Sequence, residues 1–183
     1  MNRLYFIPIS LAVLWIIIKQ MSFILGLFTF GSVQIYVLIN MFLLTLSVSL
    51  TLYQIKRNET EAANLMQDIK KGIGAGMVYT LIVSGFIYLF YAKIHPEYNQ
   101  YQIEQARELL EKPKNIEEIR KKNPDLSNKS DLEIKKMGMQ QAQQISSASF
   151  AFILSLLGLT IYTLMNSILI SVIYRRLLFR THS

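Results

Sequence analysis

The sequence predicts an all-α protein, an integral membrane four-helix bundle with a helical outward-facing extension between spans three and four. Composition is the first reason. Of 183 residues 52% are hydrophobic and mean hydropathy is +0.32, too apolar for an ordinary soluble domain with this little Gly and Pro. Segregation of charge is the second. Between Leu4 and Ile55 the one charged side chain is Lys19, and there is none from Gly72 to Ala92 or from Gln140 to Tyr174. Uncharged apolar runs of about 20 residues match the hydrocarbon thickness at 1.5 Å rise per residue. Buried core helices are the alternative, but several in so short a chain need more polar covering than exists. The third reason is the polar interval before the last run, which carries helix starts and stops.

One membrane domain, residues 1–183, is expected, with spans at about 4–24, 33–55, 72–94 and 147–169. The first span is the shortest. Its charge-free part, Leu4 to Ile18, reaches only about 22 Å at helical rise. To cross, it must continue past Lys19, whose amine is expected to snorkel outward to the interface. Pro8 begins or kinks this helix. A cleaved signal peptide is the rival reading, but no small-x-small cleavage site follows convincingly.

Charge sets orientation. Arg3, Lys56, Arg57, Lys70, Lys71, Arg175, Arg176 and Arg180 flank the spans on one side, and short loops rich in Lys and Arg stay cytoplasmic. Both termini and the loop from about Lys56 to Lys71 are therefore expected in the cytoplasm, and residues 95–146 outside. That interval holds nine basic and nine acidic residues, so none of the net charge of +7 comes from it. The basic excess lies beside the bilayer, where it meets anionic lipid. No nucleic-acid partner is required to explain it. There is no cysteine, which excludes a disulfide framework, a thiolate metal site and a cysteine nucleophile.

The third span opens on Lys70-Lys71 followed by Gly72, Gly74 and Gly76. A dinucleotide loop needs G-x-G-x-x-G after a strand, and a Walker loop needs its lysine after the glycines. Neither pattern is met, and "ETEAANLMQDIKK" before the glycines reads as a polar helix. Gly72, Gly76, Thr80 and Ser84 are instead small residues four apart, on one helix face. Span four has its own series, Ser147, Ala151 and Ser155, with Gly158 nearby. Lipid tails are as apolar as leucine, so membrane helices associate by close approach through small residues. These positions are expected to form packing faces, span three against span four or a partner helix.

The extension carries its own punctuation. Pro96 opens a helix that Pro113 ends, near Lys112. Asn115 is expected to cap a second helix, with Glu118 reaching back, and Ser130 with Glu133 to form a capping box. From Asp131 one long helix is expected to run through span four. A flexible, partly helical loop is the alternative.

Candidate chemistry is sparse. His95 and His182 have no second histidine at i+3 or i+4, so no metal motif is present. Lys93, His95 and Glu97 cluster at the outer membrane edge with Tyr91 and Tyr98. Either they form a small polar site or they are a helix end with an aromatic belt, and the second is the simpler reading. Span serines lack a base at their depth. Asn40, Ser47 and Thr51 share one side of span two, and Asn40 and Asn166 read as interhelical hydrogen-bonders. The spans as drawn hold no Asp or Glu, which argues against a proton-coupled pump but not a passive pore. No catalytic residue, cofactor or metal is expected.

The glycine-led third span with Lys71-Gly72, Tyr91 and Pro96-Glu97, the polar helical insert, and the last span ending at Arg175-Arg176 resemble the bacterial inner-membrane proteins of domain-of-unknown-function family 4199. The resemblance covers almost the whole chain. It implies a bacterial inner membrane and the topology above, and it supplies no activity, ligand or catalytic residue. The expected role is non-enzymatic: a structural or accessory protein acting through helix packing, as a homo-oligomer or within a larger membrane complex. The alternative is a passive channel or carrier for a small neutral or lipidic solute.

Overall fold

The computed structural model describes residues 5–58 and 64–178, and Arg3, Arg180 and His182 lie outside them. Among the described residues every regular element is helical. In order they are α1 (Phe6–Ile24), a 3₁₀ turn (Phe30–Ser32), α2 (Val33–Asn58), α3 (Leu65–Leu89) closed by a π turn (Phe90–Ile94), α4 (Glu97–Glu111), α5 (Pro113–Lys122), a 3₁₀ turn (Pro124–Leu126), α6 (Asp131–Ile145) and α7 (Ala148–Ile173), closed by a π turn (Tyr174–Leu178). Four of these, α1, α2, α3 and α7, are long and apolar enough to cross a membrane. The protein is a multi-pass membrane protein. Its chain divides into two compact units, Met1–Phe86 with Leu154–Ser183, and Ile87–Ile153, the divisions falling within α3 and α7.

In the first unit, α1 ends at Ile24 because Gly26 takes a positive φ of 69° and turns the chain, a conformation that costs glycine nothing. The turn brings Phe28 back beside α1. Lys19 is therefore not at the surface: it is 4% exposed, with its amine 5.3 Å from the ring centroids of both Trp15 and Phe28. The expected snorkelling is replaced by cation–π contact under an aromatic lid. Trp15 ties α1 to the rest, donating Nε1–H to the Tyr36 carbonyl at 3.3 Å and meeting Phe86 edge-on at 6.1 Å.

α2, α3 and α7 meet most closely at two glycines. A Cβ at Gly72 would lie 3.1 Å from Ser167 and 3.2 Å from Leu52. At Gly76 it would collide with Thr163 and lie 3.1 Å from Val48. Hydrogen in place of a methyl is what allows these backbones to approach. Four residues up α3 correspond to four residues down both α2 and α7, so α3 runs antiparallel to both.

The second unit has a small core of its own, Leu110, Ile116 and Ile134, with Ile119, Leu126 and Met139 packed against it. α4 and α6 touch where the Leu110 side chain covers Gly138, at 2.8 Å from where a Cβ would stand. Arg120 bridges α5 to the start of α6, 2.5 Å from Asp131 Oδ1 and 3.1 Å from the Lys129 carbonyl. Two expectations fail here. α5 begins at Pro113, whose fixed φ suits the first turn, so Asn115 lies inside the helix and donates to the Leu109 carbonyl at 2.7 Å instead of capping. Nor do α6 and α7 form one helix. Ser147 accepts from the Phe150 N–H at 3.1 Å and donates to the Gln144 carbonyl at 2.7 Å, stopping one helix and starting the next. The Ser130–Glu133 capping box is present.

Two predictions follow from this packing. Gly76→Ala is expected to destabilise the protein by about 1–3 kcal/mol, because β-branched Thr163 has little freedom to move aside. Gly74→Ala, whose added Cβ meets nothing within 4 Å, is expected to be neutral. Thermal melting in detergent compares them, and equal melting points would refute the close-approach account. The second concerns Glu133, whose carboxylate accepts from the Ser130 N–H and hydroxyl, both at 2.8 Å. These bonds hold its pKa below the ordinary value. A depressed folded pKa adds stability above the unfolded value of about 4.3 and loses it as pH falls through the folded pKa. Wild type is expected to melt above Glu133→Gln at neutral pH, with the gap closing in acid. A gap unchanged at about pH 3 would contradict this.

Candidate functional site

The most unusual feature of the first unit is how much polarity it buries. Asn40, Ser47, Thr51, Asp68, Thr80, Ser84, Thr163, Asn166, Ser167 and Ser171 are all at most 7% exposed. Those with visible contacts lie where α2, α3 and α7 meet: Asn40 on Tyr79, Thr80 on Thr163, Asn166 on Thr45 and Ser167 against Gly72. Polar groups at such depth cost free energy unless paired.

Part of this polarity is paired. The Tyr79 hydroxyl donates to Asn40 Oδ1 at 2.7 Å. Thr80 and Thr163 hydroxyls pair at 3.3 Å. Asn166 donates to the Tyr162 carbonyl at 3.0 Å and accepts from Thr45 Oγ1 at 3.3 Å, and Thr45 also pairs with the Tyr162 hydroxyl at 3.0 Å. Ser49 and Tyr174 join α2 to α7 through their hydroxyls at 2.5 Å. By contrast the hydroxyl oxygens of Ser47, Thr51, Ser84, Ser167 and Ser171, all buried, have no hydrogen-bond partner among the described residues.

An acid also lies in this seam. α3 begins at Leu65, not Gly72, and the stretch fit to cross a membrane runs Leu65–Ile94. Asp68 stands in the first turn of α3, before the apolar run that starts at Gly72. Its side chain is 1% exposed, and the amine of Lys56, whose side chain is 12% exposed, stands 2.8 Å from its Oδ2. The contact is one of charge, without the alignment of a good hydrogen bond, since neither Asp68 oxygen accepts one among the described residues. The third span as drawn from the sequence, 72–94, leaves this pair outside it. Removing one partner of a buried pair typically costs about 3–5 kcal/mol.

The other expected residues distribute as follows. Gly72, Gly76, Thr80 and Ser84 line the buried face of α3. On α7, Ser147, Ala151 and Ser155 are half-buried and Gly158 is exposed, its absent Cβ facing open space. The face of α7 that meets α3 is carried by Thr163 and Ser167 instead. At the far end of α3, Lys93 and Glu97 are exposed. His95 packs edge-on against Phe90 at 6.1 Å and beside Tyr98 at 6.0 Å, with its backbone N–H on the Phe90 carbonyl at 2.7 Å. That is a helix end closed by rings. No cluster of three or more metal-ligating His, Cys, Asp or Glu occurs among the described residues.

Asp68 was missed because the apolar run starts after it. The signal that could have found it is spacing: Asp68, Gly72, Gly76, Thr80 and Ser84 form one unbroken i+4 series.

Comparison with known proteins gives one finding. Residues 9–176 match the model of the family described as Protein of unknown function (DUF4199). Searches of curated proteins and of solved structures give no match. With the match running from the second turn of α1 to the end of α7, and with four membrane-crossing helices in sequence, this chain belongs to the DUF4199 family.

Proposed function

We propose that the protein is a non-enzymatic carrier or passive conduit for a small polar solute, using the seam between α2, α3 and α7. One observation carries this: three buried hydroxyls on α3 and α7, Ser84, Ser167 and Ser171, and two on α2, Ser47 and Thr51, have no partner among the described residues. Groups left so in a membrane interior are costly, and a passing solute with hydrogen-bonding groups of its own offsets that cost. Asn40, tied to Tyr79, marks the end of the seam nearer the start of α2. The glycine faces favour this reading over a scaffold, since Gly72 and Gly76 are used up inside the chain.

A structural or accessory role is the second reading, as a homo-oligomer or in a larger complex. Gly158 favours it, being exposed among Leu154, Leu157 and Ile161 on α7 and open to close approach by another membrane helix. Glycerol is a suitable first probe. Vesicles holding the protein are expected to swell in glycerol several-fold faster than empty ones, and Asn40→Leu to abolish the gain while particle mass stays the same. No gain in swelling, together with an intact particle of several copies or with a second protein, would transfer support to the accessory role.

The setting proposed with it is a bacterial inner membrane with both termini cytoplasmic, from the basic residues Lys56, Arg57, Lys70, Lys71, Arg175 and Arg176 at one end of the spans. Because the chain has no cysteine, single introduced thiols report sidedness. Ser127→Cys is expected to react with an impermeant maleimide in intact cells and Arg57→Cys only after lysis; the reverse pattern would invert the topology.

A further inference from the structure

The packing of α3 proceeds in tiers. Gly76 faces Thr163 and Val48, and Gly72 faces Ser167 and Leu52. One more turn in the same direction gives Asp68 on α3, Ser171 on α7 and Lys56 on α2. The α2 half of this tier is seen directly, in the 2.8 Å approach of Lys56 to Asp68. Ser171 and Asp68 are each 1% exposed, while Ser167 is fully buried. Asp68 Oδ1 and the hydroxyl oxygens of Ser167 and Ser171 have no hydrogen-bond partner among the described residues.

We propose that Asp68, Ser171 and Ser167 form a binding site for a small monovalent cation, for which Lys56 is the built-in competitor. The donor chemistry sets the class. All three are hard oxygen donors, which suit alkali and alkaline-earth ions over transition metals. One carboxylate balances one positive charge, whereas divalent sites in proteins gather several. Lys56 sits in the last turn of α2, and its long stem can swing its amine to the interface. The carboxylate then exchanges a tethered cation for a free one with no change of net charge in the site. This goes beyond the solute reading and stands whether or not a solute crosses the seam.

The test is thermal melting of the full chain in detergent, titrated with sodium chloride against choline chloride at equal ionic strength. Sodium is expected to raise the melting point saturably where choline does not. Ser171→Ala, which leaves the ion pair in place, is expected to weaken the sodium midpoint about tenfold, the loss of one ligand at about 1.4 kcal/mol. Lys56→Met removes the competitor, so its sodium midpoint is expected to fall at least tenfold, or its folding to become sodium-dependent. Identical curves in sodium and choline would overturn the proposal. So would a sodium response in Ser171→Ala equal to that of wild type, which would mean a surface salt effect only.

Discussion

The close approach of α3 to α2 and α7 at Gly72 and Gly76 is the constraint on which the rest of the membrane unit depends. In lipid there is no hydrophobic gain from bringing helices together, so packing must come from contact itself. Two missing side chains supply it, with Ser167, Thr163, Leu52 and Val48 filling the space a Cβ would take. Once that contact is fixed, register is fixed in both directions along the helices. One turn toward the start of α3 sets Asp68 beside Lys56. One turn the other way sets Thr80 on Thr163. The ion pair and the hydroxyl pair are consequences of the same antiparallel alignment.

α1 has a different part. It adds no hydroxyl to the seam and joins the bundle through Trp15, whose ring meets Phe86 and whose indole nitrogen reaches the Tyr36 carbonyl. Its one charge, Lys19, is covered by Trp15 and Phe28. The polar work of the unit is concentrated on three helices, and α1 braces two of them. Capping decides the layout of the second unit: Pro113, Ser130 and Ser147 each start a helix.

Much of this was legible in the sequence, and the failures have physical causes. Charge-free runs located all four membrane helices because a bilayer excludes charge along a fixed length. They do not mark where α3 begins, since two helices that continue past the apolar run can pair their charges with each other, as Lys56 and Asp68 do. Small residues four apart identified the buried face of α3. On α7 the same rule was followed from Ser147 through Ala151 to Ser155 and then diverted to Gly158. Continued at the same spacing, through Leu159, it arrives at Thr163, Ser167 and Ser171, which are buried. Leu159 interrupted the pattern in composition but not in geometry, for it too is buried. The break before α7 was hidden because Ser146-Ser147 has neither Gly nor Pro, and a serine stops a helix only by where its hydroxyl bonds.

Stability alone does not account for the seam. A buried ion pair replaced by apolar side chains of like volume is often as stable or more so, and five hydroxyls without partners add cost, not contact. A bundle selected only to hold together through Gly72 and Gly76 has no need of Asp68, Ser167 or Ser171. Within the same interface Tyr79–Asn40 and Thr45–Tyr162–Asn166 pair their buried polar groups, whereas Ser84, Ser167 and Ser171 have no partner among the described residues. At the level of Lys56 and Asp68 the unpartnered oxygens of Ser167 and Ser171 accompany a buried carboxylate, the donor set that the proposed cation would use, with Lys56 balancing the carboxylate in its absence.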